Sequence, residues 1–239
     1  MRFYLGTHRP YWLWKLDIPL FVSRRTVQSI PRRTPGTAPW ALDSGGFTEL
    51  SMNGRWTITA QQYAQQIEDL RPIGNLSWAA PQDWMCEPWI VAKTGLTVYE
   101  HQRRTVENYL ELVDLGAPVI PVLQGWTLDD YEQCAALYAG AGVNLAACHT
   151  VGLGSVCRRQ ATDEIGAIAQ WGHDRGYKLH GFGVKSGGLK KYGHLLASAD
   201  SLAWSYTGRY HPDPECPKKT CANCLHYALK WRTKVLCAV

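Results

Sequence analysis

No segment of the sequence strings together the roughly 18 apolar residues that a membrane span needs. The N-terminal stretch "MRFYLGTHRPYWLWKLDIPLF" has a charge or a proline breaking every apolar run, which excludes a signal peptide there as well. Low-complexity tracts are also missing, and charged residues make up only 19% against 46% hydrophobic, so intrinsic disorder is excluded. No glycine-rich dinucleotide fingerprint follows the first apolar run, which argues against an open nucleotide-binding sheet. Without an export signal the expected compartment is the reducing cytoplasm. The eight cysteines are then expected as thiols or metal ligands rather than disulfides.

What is present is more directive. The net charge of +5 is a mild basic excess that fits a polyanionic partner without requiring one. Eleven tryptophans and twelve tyrosines suit both a core and a surface that stacks on bases.

Short apolar runs alternate with amphipathic stretches along the chain. Strands are expected at 2–8, 19–23, 40–44, 76–84, 118–125, 145–154, 178–185 and near 198–206. Helices are expected at 59–71, 98–116, 128–141, 163–176 and 189–198, the second with Val106, Tyr109, Leu110 and Val113 on one face. Gly116, Gly142 and Gly176 punctuate the ends of three of them. Eight strands separated mostly by helices predict an α/β fold, a TIM-like (β/α)8 barrel over 1–206, with an open doubly wound sheet as the competitor. Beyond Tyr206 the composition turns to prolines, charges and cysteines and then to a helical pattern. Residues 207–239 therefore read as a small zinc-binding appendage and helix packed on the barrel.

In a β/α barrel the reactive groups sit at the C-terminal ends of the strands. That rule selects Asp43, Asp83, Gln124 with Gly125, Gly152 within the "GLG" run, Lys185 and Asp200. An aspartate at a strand end is often only a helix cap. Asp43 resists that reading, because Ser44, Gly45 and Gly46 follow it and the next helical pattern starts much later. Carboxylates gathered at one mouth suit a two-step displacement, one attacking as nucleophile and the other shuttling a proton. Spacing alone leaves open whether the enzyme hydrolyses a glycosidic bond or transfers the glycosyl group.

Cys216, Cys221 and Cys224, on a loop running into a helix, have the spacing of a tetrahedral zinc site. Cys237 lies 13 residues beyond Cys224, about 20 Å along a continuous helix, and is excluded. His211, on the loop ahead of Cys216, is the expected fourth ligand, with His226 as the alternative. Cys86, Cys134, Cys148 and Cys157 share no spacing and read as buried thiols.

"DSGGF" (43–47), "LQG" (123–125), "VGLG" (151–154), "HGFGVK" (180–185) and "ADS" (199–201), followed by the cysteine cluster, resemble the tRNA-guanine transglycosylase superfamily. The short length and the ending look closest to the DNA-guanine transglycosylases of phage and bacterial 7-deazaguanine DNA modification systems. The resemblance implies a barrel with structural zinc that exchanges guanine in DNA for a free 7-deazaguanine base. It makes Asp200 the nucleophile that forms a covalent glycosyl intermediate, and Asp43 the general acid/base. Asp83, Gln124, Gly125, Gly152 and Ser44 would surround the base, and Phe47 matches the aromatic that stacks on it. For Phe47 a place in the core is the competing reading.

Arg24 and Arg25, the "PRR" at 31–33, Lys185, Lys190, Lys191 and Arg209 are candidate phosphate contacts. Two other functions compete: the same chemistry on tRNA, and a non-catalytic nucleic-acid-binding barrel. The short remainder after Cys224 carries the expectation of no appended RNA-binding domain. Three acids in a groove meant for phosphates speak against the non-catalytic reading, since they would repel the ligand.

Overall fold

The computed structural model describes residues 1–27, 36–217 and 219–237. Eight strands build one parallel sheet: β1 (Arg2–Thr7), β2 (Leu20–Ser23), β3 (Gly36–Asp43), β4 (Gly74–Ala79), β5 (Val122–Leu123), β6 (Val151–Leu153), β7 (Leu179–Gly181) and β8 (Ser198–Ser201). The order β4-β3-β2-β1-β8-β7-β6-β5 is the chain order wrapped into a curl, with β1 paired to β8. The cyclic order is interrupted between β4 and β5. There a parallel bridge, Ala79 to Val119, links the two edges, with Ala79 N–H donating to the Pro118 carbonyl at 2.9 Å.

Among the described residues ten α-helices accompany the sheet: α1 (Arg24–Val27), α2 (Gly46–Thr48), α3 (Ala60–Leu70), α4 (Pro88–Thr94), α5 (Val98–Asp114), α6 (Leu128–Gly140), α7 (Asp163–Asp174) and α8 (Ser186–Tyr192) in the connections, and α9 (Ala203–Tyr210) and α10 (Leu225–Leu236) after β8. Thr59, Thr97, Thr127 and Thr162 cap α3, α5, α6 and α7, each hydroxyl accepting a backbone N–H of the first turn. Among the described residues no helix is long and apolar enough to cross a membrane.

Several expected elements shift for identifiable reasons. β4 stops at Ala79 rather than reaching Asp83, because Pro81 has no N–H to continue a ladder. β6 shrinks to Val151–Leu153, since Asn144 caps a 3-10 turn over Leu145–Ala147 that the strand reading had absorbed. After Ser201 the chain turns into α9, which runs without a break across residue 206. The buried stripe of α5 carries Gln102, Thr105, Val106, Tyr109 and Leu112, and Val113 is exposed. Two of those positions are polar because they serve backbone groups of neighbouring loops: Gln102 Nε2 donates to the Gln124 carbonyl, and Thr105 Oγ1 accepts from Trp84 N–H.

Strand alternation divides the core in two. Phe3, Leu5, Val22, Trp40, Leu42 and Leu153 point outward into the large aliphatic cluster under the helices. Tyr4, Ala41, Trp78, Ile120 and Val122 point inward, with Phe21 and Phe182 against them. α10 joins the outer cluster through Ala228 and Val235, and its Trp231 ring lies 6.1 Å from Phe3.

Candidate active site

The inward parity delivers the acids. Asp43 follows Ala41 by two residues on β3, and Asp200 follows Ser198 by two on β8, so both carboxylates continue the interior face. They emerge into a cavity of about 530 Å³ at the C-terminal ends of the strands, which Asp83, Gln124 and Phe47 also line. Asp43 Oδ1 accepts the Gly45 N–H at 2.9 Å, closing a turn that needs the left-handed φ of 82° at Gly45. Burial raises the Asp43 carboxyl above its ordinary range, and the nearby Asp200 charge adds to this. The Gly45 N–H, the Ser23 hydroxyl and Arg24 oppose the rise. A carboxyl so balanced can hold and release a proton.

Asp200 is only 6% exposed, on a strand whose register sets it beside Tyr4. Its Oδ1 accepts the Gly183 N–H at 3.0 Å and lies 3.3 Å from His180 Nε2. His180 is fully buried in an aromatic box, 4.8 Å from Trp78 and 4.7 Å from Phe182, with Nδ1 2.8 Å from Ser198 Oγ. The carboxylate is thus clamped with little rotational freedom.

Asp83 stands on the loop beyond β4, and Gln124 directly after β5. Gln124 Nε2 donates to Asp83 Oδ2, and Gln124 Oε1 accepts the Ser155 hydroxyl at 2.6 Å. Burial pushes the Asp83 carboxyl up to about 7; Asp43 adds to the rise and the Gln124 amide opposes it. A carboxylate beside an amide offers an acceptor next to a donor, which is the complement of a guanine-type edge.

Not every expected residue reaches the cavity. Ser44 is 1% exposed, with its carbonyl taken by Arg24 Nε. Gly125 is packed on α6, where a Cβ would meet Asp130 Cβ at 2.8 Å. Gly152 lies in the β6 ladder behind the Phe182 ring, and Gly154 lines the cavity in its place. Phe47 is 52% exposed, so the core reading fails. Its ring stands 5.9 Å from Trp89, and the Arg158 guanidinium lies over both.

The basic residues divide similarly. Arg24 is buried, with its guanidinium committed to Glu49 at 2.5 Å and to the Ser44 carbonyl at 2.6 Å. It therefore fixes the "DSGGF" turn and has no face for a phosphate. Arg25 also reaches Glu49, at 3.3 Å, but is half exposed. Lys185 lines the cavity, Arg209 is exposed on α9, and Lys191 pairs with Asp163. The "PRR" at 31–33 lies outside the described residues.

The Cys216, Cys221 and Cys224 sulfurs lie within 4.8 Å of one another, with Cys216 Sγ 3.8 Å from Cys224 Sγ. Thiolates at the usual 2.3 Å from a tetrahedral zinc would be about 3.8 Å apart, so the donor set fits such an ion. The expected fourth ligand does not join it: neither His211 nor His226 belongs to the group. His211 is held at the C-terminal end of α9 by its N–H on the Thr207 carbonyl, and both histidines are exposed. The cluster is tied to α9 by the Cys221 N–H on the Gly208 carbonyl at 2.7 Å and by Ser205 Oγ on the Ala222 carbonyl at 2.8 Å. Of the cysteines expected as buried thiols, Cys86 and Cys134 are buried, Cys148 is half-buried, and Cys157 is exposed and lines the cavity.

Sequence reasoning missed His180, Ser155, Glu87 and Glu49. His180 had a signal, a polar residue at an inward position of an apolar strand. The others stand on loops and turns, where alternation gives no guidance.

No curated protein matches the sequence. Among solved structures, a mutant methylaspartate ammonia lyase from Clostridium tetanomorphum is 13% identical over 74% of this chain and 40% of that one, with a TM-score of 0.40. The Mg-complex of beta-methylaspartase from Clostridium tetanomorphum is 12% identical over 90% of this chain and 45% of that one, with a TM-score of 0.44. The chain thus spans less than half the length of either, and likeness at this level says nothing of activity. The family described as "DpdA: DeoxyPurine in DNA protein A" matches residues 1–239. With every residue covered, the chain belongs to the DpdA family, which is linked to 7-deazaguanine modification of DNA.

Proposed function

We propose that the protein is a transglycosylase that exchanges guanine in DNA for a free 7-deazaguanine base. The observation that carries this reading is the meeting of Asp43, Asp83 and Asp200 in one cavity of a DpdA-family chain. Asp200 attacks C1′ of the nucleotide, the C1′–N9 bond breaks, and an aspartyl-glycosyl ester forms. Asp43 delivers a proton to the departing guanine and then takes one from the ring N–H of the incoming base. That base attacks C1′ and releases Asp200, so the backbone is never cut. Asp83 accepts from the N–H donors of the purine edge, and Gln124 donates to its carbonyl.

A base must leave its stack to reach these groups. The rim offers it and its neighbours aromatic faces: Tyr206, 70% exposed, Phe47 with Trp89 and Arg158, and Tyr210 at 4.9 Å from Tyr206. Lys185, Arg25 and Arg209 remain as phosphate contacts. We read the curled sheet as a (β/α)8 barrel joined at Ala79–Val119. Cys216, Cys221 and Cys224 would hold structural zinc, which cross-links the loop between α9 and α10.

The test incubates the protein with labelled guanine or labelled 7-deazaguanine and either DNA or tRNA. Label is expected in DNA, and label entering only tRNA would overturn the substrate assignment. Asp200→Asn should abolish exchange and the covalent adduct seen on a denaturing gel, with an unchanged circular dichroism spectrum. Full exchange by that variant would overturn the nucleophile assignment.

A further inference from the structure

Along the wall of the cavity, four side chains stand in series: Asp83, Gln124, Ser155 and Glu87. Gln124 is fully buried and Glu87 is 6% exposed. Ser155 Oγ has three polar neighbours: Cys86 N at 2.7 Å, Gln124 Oε1 at 2.6 Å and Glu87 Oε2 at 3.1 Å. A hydroxyl owns one proton and two lone pairs. The Cys86 N–H fills one lone pair. The single proton must then choose between the Gln124 oxygen and the Glu87 oxygen.

The charge state of Glu87 decides that choice. If Glu87 is ionised it draws the hydroxyl proton, and Gln124 Oε1 is left as a buried acceptor without a donor. Rotating the amide would repair this only by aiming its oxygen at Asp83. If Glu87 carries its own proton, every contact is paired. Glu87 O–H donates to Ser155 Oγ, Ser155 O–H donates to Gln124 Oε1, and Gln124 N–H donates to Asp83. We infer that Glu87 is held as a neutral carboxylic acid and, through Ser155, is the positioning residue that fixes the Gln124 amide with its N–H toward Asp83.

Two independent features agree. Ser155, with φ of 54°, is the only non-glycine residue of positive φ among the described residues. Such strain persists where the surroundings over-determine it, as three polar contacts on one hydroxyl do. Gly154 beside it is equally specific, since a Cβ there would lie 2.3 Å from Gln124 Nε2. Among the described residues no cation comes within ion-pair distance of Glu87.

The groups that face Glu87 are Asp83 and Cys86 on its own loop, Tyr131 on α6, and Cys157, Arg158 and Arg159 beyond β6. Arg158 lies over Phe47 and Trp89, and Arg159 is paired with Glu164. Burial raises the Glu87 carboxyl against these two arginines, its own N–H and Ser155.

The consequence rests on the proposed base exchange. A fixed amide presents a donor to the purine carbonyl, whereas a turned one presents an oxygen and repels it. Glu87 thereby sets which edge the cavity accepts.

Carbon-13 NMR of the side-chain carboxyls in the full chain tests the charge state without any activity. The Glu87 signal, assigned by its loss in Glu87→Gln, should stay that of a protonated acid at neutral pH. A carboxylate signal at neutral pH overturns the inference. In the exchange assay, Ser155→Ala should raise KM for the free base at least tenfold while kcat changes less. Wild-type KM should rise at alkaline pH as Glu87 ionises, and Glu87→Gln, whose amide N–H donates at every pH, should lose that rise. An unchanged alkaline rise in Glu87→Gln also overturns it. Failure of all base exchange would instead strike the proposed function, while the NMR result would stand.

Discussion

The two halves of the sheet hold their site groups by different means. β1 to β4 run four to eight residues each, in parallel ladders whose register shifts only between β3 and β4, at Gly36/Pro39 and Trp40/Ala41. β5 to β8 run only two to four. In the second half, buried side chains supply bonds that longer ladders would have made. Tyr138 Oη accepts the Val122 N–H at 3.0 Å and donates to the Val122 carbonyl at 3.1 Å. Tyr131 donates to the Gly154 carbonyl, Tyr192 to the Gln160 carbonyl, and Gln102 to the Gln124 carbonyl. A short strand can be positioned accurately when polar side chains finish its hydrogen bonding, and it then leaves more loop for the site.

The first half has buried side-chain bonds too, the strongest being the Arg24–Glu49 pair under the "DSGGF" turn, and breaking it should have the largest effect on stability. Arg24→Ala strands a buried carboxylate that Thr57, Asn53 and Arg25 cannot fully compensate. A loss of about 3–5 kcal/mol is expected from urea unfolding. A pair of tyrosine variants sharpens the contrast between halves. Tyr138→Phe removes both partners of a buried backbone residue and should cost about 1–3 kcal/mol. Tyr63→Phe, in the first half, removes one donor from the Ala80 carbonyl and should cost about 0.5–1.5 kcal/mol. Equal losses would contradict the division drawn here.

A further effect is electrostatic and is read along pH. Asp83 is raised in the folded state, so the folded protein binds more protons than the unfolded chain between the ordinary carboxylate value and about 7. Stability should therefore fall as pH rises through that window, by up to about 1.4 kcal/mol per unit of pH. Asp83→Asn should flatten the slope in unfolding curves measured across it.

Much of this was legible in the sequence, and for a physical reason. Strand alternation is local, so Ala41 with Asp43 and Ser198 with Asp200 announce the inward face before any tertiary contact is known. Arg24 was not legible: "SRR" reads as a charged rim, and its partner Glu49 lies 25 residues away on a turn of no regular period. Ser155 and Glu87 escaped similarly, since their pairing joins loops 68 residues apart. His211 reads as a ligand because a loop can fold back, whereas in the fold its N–H is tethered to α9.

The seam at Ala79–Val119 has one more implication. Asp83 lies on the β4 side of it and Gln124 on the β5 side, so the pair proposed to read the base straddles the thinnest join in the sheet. A base gripped by both would act as a clasp, and occupancy of the cavity would be coupled to the closure of the whole ring.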